Sequence, residues 1–207
     1  MPAVQPALPS RTKPADVRRL EILDAGERVF LAKGVARASV DDIVAAAGVA
    51  KGTFYLYFAS KEALVHALRE RWVESIQERV AEAEARVPRD DWARRLSTWI
   101  EAGTLAYFAR IDVHDVLFHG DDFHPCADGP VSLSNNKVVV DLTEFLHAGA
   151  AAGAWRLRDP RLLAVMLFHA LHGGIDYVVA QKKRVDKKQL IADLDDFFRR
   201  ALELSGR

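Results

Sequence analysis

The sequence predicts an all-α protein of about nine helices, and three observations lead to this fold class. Apolar residues recur three and four positions apart along most of the chain, which is the pattern of one helical face. No segment has the sustained alternation of apolar and polar residues that is typical of half-buried strands. The 207 residues are half hydrophobic, which is enough for a substantial buried core.

Local signals define where the first three helices begin and end. The first is expected over residues 15–33, because its apolar positions share one face and Gly34 suits the left-handed residue that closes a helix. The second is expected over residues 40–47, with Ser39 as N-cap and Asp42 returning the hydrogen bond in a capping box. Gly48 ends it, and the third helix covers about residues 51–58.

The later helices follow from apolar stripes and from proline. The fourth begins near residue 61, carries apolar residues four apart at Leu64, Leu68, Trp72, Ile76 and Val80, and stops at Pro88. Asp159 followed by Pro160 is a strong helix start. The remaining segments are expected from about residue 91, over 111–119, over 133–151, over 160–181 and from about 186, with a loop at 120–130.

Composition narrows the classes of protein. The single cysteine, Cys126, excludes an internal disulfide framework and agrees with a reducing cytoplasm. Residues 1–14 are interpreted as a flexible tail and not as a signal peptide. No apolar run is judged to approach the ~18 residues of a membrane span. Residues 1–61 carry nine Lys and Arg against six Asp and Glu, although the whole chain has no net charge. We therefore expect a cytoplasmic protein with no membrane partner.

Residues 39–61 are the most informative segment, SVDDIVAAAGVAKGTFYLYFASK. Two short helices are joined by a tight turn at 48–50, and such a pair must pack on neighbouring helices to bury its apolar face. A helix-turn-helix of this kind places its second helix in the DNA major groove. The pattern indicates a three-helix DNA-binding domain over residues 15–60, followed by a larger helical domain over 61–207.

The third helix has one face that suits DNA. Phe54 and Phe58 lie four apart and can anchor the helix inward. Thr53, Tyr57 and Lys61 are also four apart on another face, where hydroxyls and an ammonium suit phosphate oxygens. On an arbitrary short helix, the same residue types are more often ordinary surface.

Residues 15–71 resemble the N-terminal DNA-binding domain of the TetR (tetracycline repressor) family. Matching positions run in register through ILDAG at 22–26, AAGV at 46–49, KGT at 51–53 and SKE at 60–62. The resemblance implies base or phosphate contacts at and along the third helix, and a cap residue that also touches the DNA backbone. The candidate DNA contacts are Ser39, Lys51, Gly52, Thr53, Tyr55, Tyr57 and Lys61. For Ser39, the alternative is a cap with no DNA role.

Two positions depart from the family pattern. Ala50 stands where Ser or Thr is common, so the recognition helix lacks that side-chain cap and one phosphate contact. Leu56 and Tyr57 replace a commoner aromatic–histidine pair. Leu56 either contacts a thymine methyl group or packs inward. The basic residues near the N-terminus add phosphate contacts or are simply solvated: Arg11, Lys13, Arg18 and Arg19.

The resemblance also implies partners. They are double-stranded DNA with a palindromic operator, a small-molecule effector, and a second copy of the chain paired through the last two helices. Those helices supply apolar positions such as Met166, Leu171, Phe197 and Phe198, which would alternatively form the core of one chain. Repression is the expectation, and activation is the alternative that the sequence leaves open.

The middle helices are expected to enclose a pocket for a largely apolar effector. Each aromatic candidate is, taken alone, more often plain core than a ligand contact. The candidate lining residues are Trp99, Tyr107, Phe108, Phe118, Phe145 and Trp155. His114, His119, His124 and Cys126 are metal-ligand types whose spacing matches no standard site. We expect no metal and no cofactor, and metal sensing is the alternative.

Catalysis is not expected. The sequence has no Gly-x-Ser-x-Gly elbow, no phosphate-binding glycine loop and no recognisable pair of carboxylates. A helical interaction module that does not bind DNA would not need a basic, hydroxyl-rich third helix. The sequence thus predicts a DNA-binding regulator that responds to a ligand.

Overall fold

Nine helices occupy the residues that the computed structural model describes, 14–118, 137–181 and 185–204. They are α1 (Ala15–Lys33), α2 (Val40–Ala47), α3 (Lys51–Tyr57), α4 (Lys61–Glu84), α5 (Trp92–Ala109), α6 (Ile111–Phe118), α7 (Lys137–Ala151), α8 (Pro160–Ala180) and α9 (Lys187–Leu204). Within those ranges no residue lies in a strand. The predicted all-α fold class is confirmed.

Helix bounds follow the predicted capping residues closely. α1 and α2 have the predicted bounds, and α3 ends one residue before the predicted end. Asp91 and Asp159 cap α5 and α8 by accepting the backbone N–H of Arg94 and Leu162. The predicted loop at 120–130 and the predicted helix start at 133 lie outside the described residues.

Two glycines end helices in different ways. Gly48 is left-handed, with φ 64° and ψ 37°, as expected of a residue that closes a helix. Gly34 also has a positive φ of 78°, but its ψ of 157° places it outside the left-handed helical region that we expected. That combination of angles is essentially restricted to glycine.

The chain divides into two compact units. The first comprises residues 14–70 and 112–118 of the described chain, and it extends into α4 past the boundary expected at residue 60. α1 and α4 approach closely at Gly26, where an added Cβ would lie 2.6 Å from Cδ2 of Leu64. The largest fully buried side chains of this unit are Ile22, Leu23, Phe30, Ile43, Phe54, Leu64 and Leu68.

The second unit contains residues 71–111 and the described residues from 137 onward. Its fully buried side chains include Leu96, Ile100, Leu142, Leu146 and Phe198. Polar bonds also join α5 to α9. Ser97 Oγ donates to the Asp195 carboxylate, and Arg199 Nη2 donates to the Ala93 carbonyl at 3.2 Å.

α8 corrects one expectation from the sequence. By length and composition its 21 residues could cross a membrane, with a mean hydropathy of 1.6 over its most apolar window. The expectation that no apolar run approaches that length is therefore wrong for this helix. Core helices have the same composition, and Ala164, Leu167, Leu171 and Ile175 are buried where α8 packs with α7 and α9.

Candidate nucleic-acid interface and ligand pocket

The start of α2 is held by a capping box, as predicted. The Asp42 backbone N–H donates to Ser39 Oγ at 3.1 Å, and the Ser39 backbone N–H donates to Asp42 Oδ2 at 3.0 Å. Lys33 Nζ donates to Asp42 Oδ1 at 2.6 Å. The Lys33 hydrogen bond, followed by those from Ser39, lowers the pKa of Asp42 from 3.8 to about 2. Ser39 is thus a cap, and its phosphate contact stays a prediction.

α3 is anchored on one side and open on the other. Phe54 and Phe58 are buried, with ring centroids 5.8 Å apart. On the remaining surface Tyr55 is 50% exposed and Leu56 is 81% exposed. Leu56 therefore does not pack inward, which removes one of the two alternatives that the sequence left open.

The other predicted contacts of α3 are also accessible. Lys51 and Gly52 are exposed, while Thr53 and Tyr57 are half-buried. The Ala50 N-cap makes no side-chain hydrogen bond, as its methyl group dictates. The helix thus presents a cation, hydroxyls and one aliphatic side chain, a mixture that suits phosphates and base edges.

Lys51 is engaged with an acidic neighbour. Its ammonium lies 2.9 Å from Asp41 Oδ1, and both side chains are exposed. The hydrogen bond from this ammonium to Asp41 raises the pKa of Lys51. Because the ion pair is exposed, it contributes little to stability and a phosphate can displace the carboxylate.

Lys61 has a role that the sequence did not predict. Its Nζ donates to the carbonyl oxygen of Val35 at 2.9 Å and to that of Ala38 at 3.1 Å. These bonds tie the start of α4 to the segment between α1 and α2. No local signal announces them, because the partners are more than twenty residues away along the chain. The predicted phosphate contact of Lys61 would have to coexist with this tether.

Of the four basic residues predicted near the N-terminus, the structure describes Arg18 and Arg19. Arg18 Nη1 forms an ion pair with Glu21 Oε2 at 2.8 Å, and the Arg19 guanidinium lies 5.3 Å from the centroid of the Phe58 ring. Arg11 and Lys13 lie outside the described residues. The two described arginines therefore pack on the N-terminal unit itself.

A cavity of about 260 Å³ lies within the second unit, between α4, α5, α7 and α8. Three of the six predicted lining residues, Trp99, Tyr107 and Phe145, line it. The apolar stripe of α4 contributes further walls, which were not among the predicted lining residues. The other apolar side chains and glycine in the lining are Trp72, Ile76, Val80, Ala81, Gly103, Val138, Phe168 and Leu171.

The other three predicted lining residues have different neighbours. The Phe108 ring lies 4.9 Å from Lys187 Nζ, and the Phe118 ring is stacked 4.8 Å from His114 in the first unit. Trp155 donates from Nε1 to the Leu146 carbonyl at 2.8 Å. Composition alone does not separate these aromatic residues from those at the cavity, because the three-dimensional packing decides which rings meet empty space.

Four polar side chains line the cavity with Tyr107. Gln77 Nε2 donates to the Asp141 carboxylate, which also lies 3.3 Å from Lys137 Nζ. Glu84 is half-buried, and burial raises the pKa of its carboxyl group against a weaker opposing effect of Arg95. The fourth, His172, has its ring 4.5 Å from that of Phe168.

Of the four candidate metal ligands, only His114 lies among the described residues. His114 is buried, and its Nδ1 lies 3.5 Å from Asp115 Oδ1. His119, His124 and Cys126 lie outside the described residues. Over the described ranges, no three His, Cys, Asp or Glu side chains are grouped to hold a metal ion.

The last two helices contain both core and exposed apolar residues. Leu171 of α8 and Phe198 of α9, predicted for pairing between copies, are buried in the single chain. Met166 and Phe197 are 60% and 50% exposed. Leu162 and Tyr177 of α8 are exposed as well. The described part of α8 and α9 thus retains an apolar surface after the core is complete.

Residues 22–68 match a family of bacterial regulatory proteins, the tetR family. One relative is the uncharacterized HTH-type transcriptional regulator YvdT of Bacillus subtilis (strain 168), 54% identical over 50 residues. Those residues are 24% of this chain and 26% of YvdT, so the match spans about a quarter of that relative.

Solved structures share the fold over most of the chain. A TetR-family regulator from Syntrophomonas wolfei has a TM-score of 0.76 at 19% identity, covering 91% of this chain and 96% of its own. The regulator FadR from Bacillus subtilis, solved in complex with stearoyl-CoA, has a TM-score of 0.68 at 22% identity, covering 86% and 96%. The N-terminal residues 22–68 are thus similar to the tetR family of bacterial regulatory proteins, and most of the chain shares its fold with these solved structures.

Proposed function

We propose that this protein is a cytoplasmic transcriptional repressor that binds a palindromic operator as a homodimer and is released by a small, largely apolar effector. It acts by binding and has no catalytic role. α3 is the recognition helix and lies in the major groove. The family match over residues 22–68 supports the DNA-binding part of this proposal.

One observation carries the DNA-binding proposal. α3 is fixed from within by Phe54 and Phe58, and it exposes Lys51, Tyr55 and Leu56. Side chains that reach base edges have to project from a rigid support, since a mobile side chain loses entropy on binding. Leu56 suits a thymine methyl group, and Lys51 suits a guanine edge or a phosphate.

The homodimer is proposed from symmetry and from exposed surface. Palindromic DNA is read by two-fold symmetric proteins, with recognition helices about 34–36 Å apart or somewhat more. Met166 and Phe197 offer exposed apolar side chains on α8 and α9. Pairing through these two helices would cover both.

The effector is proposed to act through α4. This helix supplies residues 61–70 to the first unit and residues 71–84 to the second. Trp72, Ile76 and Val80 line the cavity, so a ligand there contacts the same helix that begins beside α3. The ligand shifts DNA affinity only if it binds the two conformations unequally. A cavity ligand that leaves operator affinity unchanged would show this coupling to be absent.

The DNA-binding proposal is tested by fluorescence anisotropy with duplex DNA from upstream of the protein's own gene, at several salt concentrations. Lys51→Ala should reduce the salt dependence by about one phosphate contact, or alter sequence preference if it reads a base. Tyr57→Ala should weaken binding to all sequences alike.

A matched control for Lys51→Ala is Lys188→Ala, which removes the same charge from an exposed position on α9. The control should retain wild-type affinity and salt dependence. The proposal is contradicted if both α3 variants bind DNA with wild-type affinity and salt dependence. It is also contradicted if the wild-type protein does not bind DNA even at low salt.

A further inference from the structure

The charged groups that line the cavity have one sign. Among its lining residues, all within the described ranges, the ionisable side chains with negative charge are Glu84 and Asp141, and neither Lys nor Arg is present. An anionic head group placed there would meet carboxylates in an apolar setting, where repulsion is strong. The cavity chemistry therefore disfavours carboxylates and phosphates.

The two carboxylates differ in how well they are compensated. Asp141 accepts from Gln77 Nε2 and lies 3.3 Å from Lys137 Nζ, one turn away on its own helix. Glu84 Oε1 is buried and has no hydrogen-bond donor among the described residues. Its nearest cation is Arg95 Nε at 3.9 Å.

Arg95 is itself held elsewhere. Its guanidinium lies 4.4 Å from the Trp92 ring centroid and 5.1 Å from that of Phe145. Burial is the main influence on Glu84 and raises the pKa of its carboxyl group, as expected where compensation is incomplete. The Glu84 side chain lines the cavity, so an ammonium bound there would add a positive charge beside this incompletely compensated carboxylate.

Aromatic rings form much of the remaining wall. Trp72, Trp99, Tyr107, Phe145 and Phe168 line the cavity. The faces of such rings attract organic cations, and their bodies accept apolar groups. Pockets for drug-sized ligands usually have about 300–1,000 Å³, so this cavity of about 260 Å³ suits a smaller molecule.

We propose that the cavity binds a small organic cation, an amine joined to an aromatic or aliphatic body, with the ammonium beside the Glu84 carboxylate and the body among the aromatic rings. This inference rests on the proposed function only in treating the cavity as the effector site. It sets the chain apart from the FadR structure, whose ligand stearoyl-CoA carries phosphates.

The test compares three probes that differ only in their head group: 4-phenylbutylamine, 4-phenylbutan-1-ol and 4-phenylbutyrate. Dissociation constants for the full-length protein are measured at neutral pH by calorimetry, with quenching of tryptophan fluorescence, to which Trp72 and Trp99 at the cavity contribute, as a second readout. We expect the amine to bind at least about tenfold more tightly than the alcohol, because a hydrogen bond to a charged group contributes roughly that factor. The carboxylate should bind most weakly.

Two variants assign the effect to one residue. Glu84→Gln keeps the shape and removes the charge, so the amine should lose about tenfold and the alcohol should be unaffected. Glu82→Gln makes the same change at an exposed position on the same helix and should leave all three affinities unchanged. Thermal unfolding of both variants checks that each is folded.

Each other outcome overturns the proposal. These outcomes are an amine that does not bind, amine and alcohol of equal affinity, a preference for the carboxylate, or amine binding that survives Glu84→Gln in a folded protein. Operator binding is measured separately without probes. If the protein without probes did not bind the operator, only the proposed DNA-binding function would be contradicted. If it bound the operator and the probes gave any of the outcomes above, only the cation site would be contradicted.

Discussion

The two ends of α4 carry the same apolar stripe and have different surroundings. Leu64 and Leu68 are fully buried in the first unit, whereas Ile76 and Val80 line a cavity in the second. An apolar residue every fourth position therefore predicts which face of a helix turns inward. It does not predict whether neighbouring side chains fill the space that this face meets.

The polar bonds of the two units also differ, in how far apart in sequence the bonded residues are. The capping box of α2 and the Lys33–Asp42 ion pair join residues three and nine apart in sequence. Beside the cavity, Gln77 and Asp141 are 64 residues apart, and Ser97 and Asp195 on α5 and α9 are 98 apart. The first unit is thus stabilised partly by local bonds, and the second depends on long-range packing.

The largest expected effect compares a fully buried residue of the α4 stripe, Leu68, with a residue of the same stripe that lines the cavity, Ile76. Leu68→Ala should cost about 2–5 kcal/mol of unfolding free energy, because it leaves a new cavity in a filled core. Ile76→Ala should cost less, since its side chain already borders empty space and makes fewer contacts. Urea unfolding of both variants measures the difference, and equal losses would contradict the comparison.

A smaller effect is expected at the α2 cap. Ser39→Ala should cost about 1 kcal/mol, because the Asp42 backbone N–H loses its acceptor. Ser39→Asp supplies another good acceptor and should restore most of that loss. If both variants were equally unstable by thermal unfolding, the cap would not be the cause.

A gain of DNA affinity is expected from the α2–α3 ion pair. Asp41→Asn frees Lys51 and removes a carboxylate that repels phosphate, so affinity should rise. Exposed ion pairs contribute about 0.2–1 kcal/mol, so we expect a rise of about fivefold or less. Anisotropy at two salt concentrations measures it, with Asp196→Asn on α9 as the matched control. Unchanged or weaker binding would show that Asp41 does not compete with DNA.

The last and smallest expected effect is the loss of stability in acid. The pKa of Asp42 is about 2 in the folded protein and 3.8 without these partners, as in the unfolded chain. The unfolded chain therefore takes up the proton first as pH falls. The stabilisation is complete above pH 4 and is lost as pH falls through about 2. Unfolding free energies of wild type and Asp42→Asn should converge over that interval, and parallel curves would contradict it.

Much of the first unit could be predicted from residues close together in sequence. The bounds of α1 and α2, the capping box and the inward anchors Phe54 and Phe58 all follow from signals a few residues long. The role of Lys61 was missed, because its carbonyl partners lie on a different segment. For the cavity, an aromatic residue could be named as a candidate, but its neighbours could not.

The sequence by itself determined the all-helical class, the helix-turn-helix and the similarity of residues 22–68 to the tetR family, because capping, periodicity and motif spacing act within one or two helical turns. Only the tertiary structure decided that Leu56 faces outward, that Trp99, Tyr107 and Phe145 meet empty space, and that Glu84 lies among them. The physical reason is that burial and cavities depend on how distant helices pack, and close packing of one face does not follow from the pattern on that face.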